Sequence, residues 1–574
     1  MASPLSLRSI VAAILYLSPS VCTAQEAVQQ DGLPIRQVAI IGAGAAGSSA
    51  AYHLRSYADK YGVAVNITVF EKTAHIGGRT LTVNPFGNSS QRVELGASIF
   101  IQKNHIMYKA LEEFNLSPRD PDEDSDSTLG IWDGDEFVFT IDQSDSFWWN
   151  AYKVFMKYGY LAPRRTQQLM VATIDKFLRL YEEPYFPFRS LTQRTYELGL
   201  VDVTGLTGEQ LLKQNNVGDA YAHDIVQAST RVNYASNLVR IHGLDTMVSM
   251  APEGAMAVKG GNWQIFSKMV KKSGAGVALN TSITSIAFAP KENKTSFRTR
   301  YAVAAKSSSS LSDTQGEYPV LFDDVVIATP YQFSKIAAAD GVIQHPIDSI
   351  PYVQLHVTIF ASPFQYSPAF FGLTDPKTVP GTILTTLGKN DTPTSGVQGA
   401  GKAGFFSISH LRKVVNPDTE KQEYLYKIFS PEKVTPEFLS RLFGVDVPET
   451  FVGKAEGSTS SAAPISWYLP HVFYSYPQAL PRVTFQDPIV GPGLYYTSGM
   501  ESFISTMETN ALMGKNVARL ILDDILGASK GDSEMDSKGV ESEFGEGGAQ
   551  KVIWDRGRGE IPKTRPTEAV FQDM

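Results

Sequence analysis

An α/β fold with a Rossmann-type domain near the start of the chain is predicted by three observations. Residues 38–41 form a short apolar run of strand character. Gly42-Ala-Gly44-Ala-Ala-Gly47 follows at once, a Gly-x-Gly-x-x-Gly spacing that opens a stretch of helical pattern over 45–61. A second apolar run over 65–70 then ends in Glu71. In this arrangement Gly42 permits the tight turn, Gly44 lets backbone approach a pyrophosphate, and Gly47 lets the helix pack on the strand. The helix aims its free N–H groups and positive dipole end at the phosphates. An acid about 20 residues past the glycines is placed to hold a ribose hydroxyl, which makes Glu71 the candidate.

Composition bounds the rest. The chain has 574 residues, 43% hydrophobic and 19% charged, which is ordinary globular composition and enough for a large core. Its net charge of -8 with no basic stripe argues against nucleic acid as a partner. Arg8 precedes an apolar run over 10–17, and Cys22-Thr-Ala24 offers a small-residue cleavage site, so residues 1–24 read as a secretory signal peptide. That run is shorter than the roughly 20 residues a bilayer span needs. No comparable run follows, so no transmembrane segment is expected after signal removal. Cys22 is the only cysteine. The mature chain is therefore expected to lack disulfides, a thiol nucleophile and any cysteine-linked cofactor. Glycosylation sequons occur at Asn66, Asn88, Asn115, Asn280, Asn293 and Asn390. Asn66 falls in the expected second strand, whereas Asn88 and Asn293 fall in polar loops and are the better acceptors.

Beyond the second strand, Ile76-Gly77-Gly78-Arg79 brings backbone close to a ligand at Gly78 and supplies a guanidinium that can neutralise phosphate. Val93-Glu-Leu-Gly96-Ala97 reads as a strand entering a small-residue turn. Together these motifs resemble the glutathione-reductase-like flavoprotein superfamily. The resemblance implies FAD rather than NAD, with the adenine end near Glu71 and the isoalloxazine near Gly96 and Ala97. Residues 120–126 read as a solvated acidic turn. Residues 145–200 are helical in pattern and aromatic, with Phe147, Trp148, Trp149, Tyr152, Phe155, Tyr158 and Tyr160 at helical spacing. Such a stripe reads first as core, and second as the wall of a site for a long apolar ligand.

The most specific stretch is central: Arg231-Val-Asn-Tyr-Ala235, Val248-Ser-Met-Ala251 and Val258-Lys-Gly-Gly-Asn-Trp263. With Tyr426-Lys-Ile-Phe-Ser430, Trp467-Tyr-x-x-His471 and Leu494-Tyr-Tyr-x-x-Gly-Met-Glu501, then Ser505-Thr506-Met507-Glu508, this order resembles the prenylcysteine oxidase (prenylcysteine lyase) family over residues 35–522. What the resemblance implies is a glutathione-reductase-like, Rossmann-type FAD-binding domain interleaved with an α+β substrate domain. The expected division is 35–130, 246–330 and 481–525 for the FAD-binding domain, 131–245 for a helical substrate part and 331–480 for a sheet-based one. The same resemblance implies that Ile283, in a strand over 281–286, touches the adenine through its backbone. It also implies that Gly499, Thr506 and Met507 lie at the flavin's polar edge. There the N-terminus of a helix over 508–522 stabilises negative charge on reduced flavin. Residues 306–315, 396–404 and 455–463 read as Ser- or Gly-rich loops, and 527–574 as a disordered tail.

The activity so implied is FAD-dependent oxidation of a farnesyl- or geranylgeranyl-cysteine thioether. Hydride leaves the allylic carbon bonded to sulfur, water adds, and the hemithioacetal collapses to prenyl aldehyde and cysteine. O2 reoxidises the flavin to give H2O2. No catalytic base is assigned, and His242, His356 and His471 are candidates only. Arg231 and Arg240 are candidates for the zwitterionic cysteine end, or equally for surface or phosphate contacts. One alternative keeps the oxidase and changes the substrate to another prenylated or terpenoid metabolite. A second is a non-catalytic prenyl-binding protein, as in the Rab-escort and GDP-dissociation-inhibitor proteins. The signal peptide counts against that cytosolic role and points to the secretory pathway, with a lysosome, a vacuole or the cell exterior as destination.

Overall fold

A computed structural model describes residues 35–119, 127–251, 254–290, 299–309, 312–449 and 464–527. The signal peptide, the acidic turn, the 455–463 insertion, Asn293 and the tail beyond residue 527 lie outside the described residues. Two compact units are distinguished, 1–520 and 521–574. Of the second, the described residues are only the end of a helix and Gly527.

Among the described residues a six-stranded sheet runs in the order Ile489–Gly491, Leu494–Tyr496, Asp324–Ile327, Arg36–Ile41 (β1), Val65–Phe70 (β2) and Gly276–Ala278. All pairings are parallel except the first. Asp324–Ile327 and Leu494–Tyr496 are buried at every position, and apolar except for Asp324, as in parallel strands covered on both faces. The buried Arg36–Asp324 ion pair, 2.6 Å apart, fixes the start of β1 against its neighbour. Helix α1, Ala45–Tyr61, covers one face through small residues, including Ala46, Ser49 and Ala50. They admit helix α2, Met507–Leu526, so closely that a Cβ on Gly514 would lie 2.1 Å from the Ala46 carbonyl. The other face shares a core, Ile41, Phe70, Ile283, Tyr301 and Val303, with the four-stranded sheet that contains Thr281–Phe288.

A seven-stranded sheet joins Trp467–Pro477, Tyr352–Ser362, Gln422–Ser430, Ser407–Val415, Thr382–Thr385, Thr128–Trp132 and Phe137–Asp142 in that order. It is antiparallel except where Thr382–Thr385 meets Thr128–Trp132. One face packs on Leu439, Leu442 and Phe443 of the helix Pro436–Phe443. The opposite face packs Val357, Ile359 and Leu425 against Val93 and Leu95, so the turn after Leu95 is set between the two sheets.

Three expectations are corrected. The helix Phe147–Tyr158 has no buried residue, so its aromatics are not core. Its inward side carries Val154 and Tyr158, partly buried against Phe139 and Ala228. Periodicity gives the stripe but not which way it faces. The Ser-rich stretch within 306–315 is not a loop: Tyr301–Ser309 and Ser312–Glu317 pair as an antiparallel hairpin. The Gly-rich 396–404 segment is two short turns whose Gly399 and Ala400 carbonyls are held by a buried arginine.

Candidate functional site

The carboxyl ends of the parallel strands meet at one edge, where open α/β sheets bind their ligands. Gly42 follows β1, Glu71 follows β2, Ala328 follows Asp324–Ile327, and Thr497 follows Leu494–Tyr496. Gly42 has φ +109°, and a Cβ there would stand 2.7 Å from the Ala328 carbonyl oxygen. Gly47 packs closer still, since its Cβ would fall 1.9 Å from the Gly42 oxygen. Gly44 begins α1 with no side-chain cap, and no acid lies in the helix's first turn. The first N–H groups are thus open to an anion. Gly78 faces Gly44, with a would-be Cβ 3.0 Å from the Gly44 Cα. The two backbones form the walls of a cradle that side chains would fill. A dinucleotide fits this construction.

Glu71 is buried and braces the turn it faces. Its Oε2 accepts from the Ala43 N–H at 2.9 Å, and its Oε1 accepts from the Thr73 N–H and hydroxyl at 2.9 and 2.8 Å. The carboxylate therefore shapes the glycine turn it faces. The Glu71 carbonyl accepts from the Thr281 N–H at 2.8 Å, which brings Ile283 to the same end of the sheet. Ile283 itself is buried beside a register shift between Ile283 and Ser285.

Arg79 is held by a carboxylate and a backbone carbonyl. Its Nη2 donates to Glu501 Oε1 at 2.7 Å and its Nη1 to the Ser475 carbonyl at 2.5 Å. Glu501 is fully buried and its other oxygen accepts from the Tyr352 hydroxyl at 3.0 Å. One buried carboxylate thus joins the glycine-rich loop, the C-terminal segment and the seven-stranded sheet. A guanidinium beside a buried carboxylate is held there in preference to a solvated one.

Gly96 and Ala97 lie in the turn between the sheets. A Cβ on Gly96 would meet the Arg79 carbonyl at 1.8 Å. The turn is braced from behind by residues the motif reading passed over. Asn262, fully buried, donates from its N–H to Glu94 Oε1 at 2.7 Å and from its side chain to the Ala97 carbonyl at 3.2 Å. Lys427 Nζ donates to the Glu94 carbonyl at 3.0 Å and to Ser98 Oγ at 3.3 Å. Glu94 Oε2 has no hydrogen-bond partner. Burial raises the Glu94 carboxyl to about 7, against the Asn262 N–H and nearby positive charge, and lowers Lys427 to about 8 against the pull of Glu94. A charged pair in sequence-distant strands carries no motif, so only its membership of the Tyr426–Ser430 block hinted at Lys427.

Gly499 lies in the short helix Ser498–Ser502, where a Cβ would meet the Gln486 carbonyl at 2.6 Å. Thr506 caps α2, with its hydroxyl accepting from the Thr509 N–H at 3.1 Å. Met507 is the first helical residue. The next, Glu508, is buried and accepts from the Ile106 and Met107 N–H groups at 2.9 Å each, so it caps the helix His105–Glu113.

The candidate side chains for substrate separate clearly. Arg231 is fully buried and donates to Thr385, Asn237 and the carbonyls of Gly399, Ala400 and Phe405. It is an anchor for the fold, not a surface, phosphate or substrate contact. Arg240 remains partly exposed, and its Nε has no partner. His242 is buried, caps the helix Gly243–Ser249 through the Asp245 N–H, and lies 3.3 Å from the Ser502 carbonyl. Burial lowers its pKa to about 4, so it stays neutral near neutrality. His356 and His471 stand on neighbouring strands of the seven-stranded sheet, opposite Val472 and Val357.

Residues 141–533 match the family model described as prenylcysteine lyase, and 40–114 match an NAD(P)-binding Rossmann-like domain. The farnesylcysteine lyase of Arabidopsis thaliana is 29% identical over 527 residues, 88% of this chain and 92% of that protein. Prenylcysteine oxidase 1 of Bos taurus is 28% identical over 498 residues, 85% of this chain and 88% of that protein. Among solved structures, the cyclohexylamine oxidase of Brevibacterium oxydans aligns with a TM-score of 0.49 at 14% identity, covering 86% of this chain and 100% of that one.

Proposed function

The chain belongs to the prenylcysteine lyase family, and on that premise we propose that it is an FAD-dependent thioether oxidase acting on prenylcysteine. The observation that carries the reading is the family match over 141–533, which runs through Arg231 to Tyr234 and Gly499 to Glu501. The net reaction converts prenylcysteine, O2 and water to prenyl aldehyde, cysteine and H2O2. FAD, when bound, supplies the hydride acceptor for the allylic carbon next to sulfur.

The chain's own residues bind and orient. The first turn of α1, with Gly42, Gly44, Gly47 and Gly78 around it, takes the pyrophosphate. Glu71 and the backbone at Ile283 take the adenosine end. Gly96 and Ala97 receive the ring system, held in place by Asn262, Glu94 and Lys427. Gly499 and Met507 present backbone and the α2 dipole to its polar edge, and Thr506 caps that helix. Arg79 fixes that segment through Glu501. Arg240, partly exposed, is the arginine that suits the substrate carboxylate. We place the protein in the secretory pathway, acting in a lysosome, a vacuole or outside the cell, on the strength of the leader over 1–24.

The test is anaerobic addition of farnesylcysteine to the purified protein. Bleaching of the flavin absorption band with release of farnesal is the expected result. A flavin that stays oxidised removes this substrate, and a preparation without flavin removes the oxidase reading altogether.

A further inference from the structure

The helix Phe147–Tyr158 inverts the usual relation between an amphipathic helix and its protein. Phe147 is 76% exposed, Trp148 80%, Phe155 54% and Met156 63%, with Trp149 and Tyr152 each about half exposed. Apolar patches of this kind on a soluble surface mark an interaction site. At about 100° per residue, Trp148, Trp149, Tyr152, Phe155 and Met156 fall within one arc of roughly 120°. Lys153 stands about 40° beyond one edge of that arc and Lys157 about 40° further round. The rings are not loose: Phe147 meets Trp148 edge-on at 5.6 Å, and Trp149 stacks on Tyr152 at 5.5 Å. The opposite side of the helix is seated on the protein through Val154 and Tyr158.

We infer that this helix is a membrane-docking surface that lies in the interface of an anionic lipid bilayer, with its aromatic arc among the acyl chains and its basic flank at the headgroups. The residue types fit that occupant. Trp and Tyr carry an apolar body and a polar tip, which suits the boundary between hydrocarbon and water. The lysine stems beside the arc add to its apolar surface. Charge points the same way. The segment from Phe147 to Arg165 holds four basic residues and no acidic one, in a chain of net charge -8. The Lys153 and Lys157 ammonium groups are paired with Asp145 and Asp224, at 3.0 and 2.9 Å, so the unneutralised positive charge of the segment rests on Arg164 and Arg165. Arg164 and Arg165 have no acidic partner among the described residues. A second copy of the chain is a poorer occupant. A twofold contact would set one basic flank against its own image. The inference stands on the helix alone and does not depend on the thioether reading. If that reading holds, docking brings the protein to the phase in which a prenyl chain dissolves.

The test is flotation of protein recovered from a secreting host, with vesicles of phosphatidylcholine and phosphatidylserine in equal parts and with phosphatidylcholine alone. The protein is expected to float with the anionic vesicles and less with the neutral ones. The Trp148→Ser, Tyr152→Ser, Phe155→Ser variant should lose roughly tenfold or more of that binding. An Arg164→Gln, Arg165→Gln variant should lose the anionic preference and its salt dependence only. Bound-flavin absorption and the melting temperature check that the variants fold: the changed aromatics and Arg164 are exposed, whereas Arg165 is half-buried and donates to the Asn216 carbonyl. An independent readout is quenching of tryptophan fluorescence by brominated acyl chains, strong in the unaltered protein and greatly reduced in Trp148→Phe, Trp149→Phe. Failure to float with either vesicle overturns the inference. So does a triple variant that floats unchanged, absence of quenching, or a dimer in solution that the triple variant converts to a monomer.

Discussion

At the residue scale, single atoms decide whether the cradle exists. A methyl group at Gly47 would stand 1.9 Å from the Gly42 oxygen, backbone against backbone, where nothing flexible can yield. Gly47→Ala is therefore expected to shift the turn and purify without flavin, read from the absorption spectrum, with a loss of about 1–3 kcal/mol in urea denaturation. Glu94 makes a pH prediction. Burial raises its carboxyl from 4.5 in the free residue to about 7 in the fold. Between those values the folded chain holds a proton that the unfolded chain has released, so stability falls as pH rises from about 4.5 to 7 and this contribution is flat above. Glu94→Gln stays neutral throughout. Measured against the unaltered protein, it should gain on the order of 1–3 kcal/mol as pH rises across that window, with little difference below it. Lys427 has the opposite sense in its own range, since its pKa falls from 10.5 to about 8 and stability from it rises with pH between them.

At the scale of elements, the connections that matter are between segments far apart in the chain. Arg231, on the helix Gln227–Tyr234, ties that helix to Thr385 in the seven-stranded sheet and to the carbonyls of the Gly-rich turns at 399–400. Its guanidinium is desolvated without a carboxylate in contact, and burial brings its pKa down to about 9. Five acceptors in fork geometry are beyond an ammonium, so Arg231→Lys strands buried carbonyls. The expected loss is about 3 kcal/mol, read by thermal and urea denaturation, with flavin content following stability rather than preceding it. Retention of full stability by that variant would remove the anchor role. Glu508 works similarly between helices, since the first turn of α2 supplies the cap for His105–Glu113.

At the scale of the whole molecule, the cofactor cradle proposed above gathers residues from 42–79, 94–97, 281–283 and 499–507, while the second sheet reaches the same segments through Tyr352, Ser475 and Lys427. A ligand held by so many separate segments binds the folded state alone, and its affinity adds directly to stability. Removal of flavin should lower the melting temperature. Adding FAD to one hundred times its dissociation constant should restore about 2.7 kcal/mol. Melting indifferent to FAD would contradict the assembly of the site from these segments.

The sequence by itself determined the Rossmann unit: the strand, the glycine spacing, the helix over 45–61 and the acid at Glu71 are a local pattern, and each constraint acts within a few residues. It also determined the family, because Arg231 to Tyr234, Gly260 to Asn262 and Gly499 to Glu501 are short narrow blocks. Tertiary structure decided what those residues touch. Arg79 meets Glu501, 422 positions away. Arg231 is sunk in the interior, and Glu94 and Lys427 meet behind the Gly96 turn. The aromatic helix shows the limit most plainly. Its periodicity is the same whether the stripe faces inward or outward. Which of the two holds depends on the surface opposite it, and that surface is made by Phe139 and Ala228, residues brought there only by the completed fold.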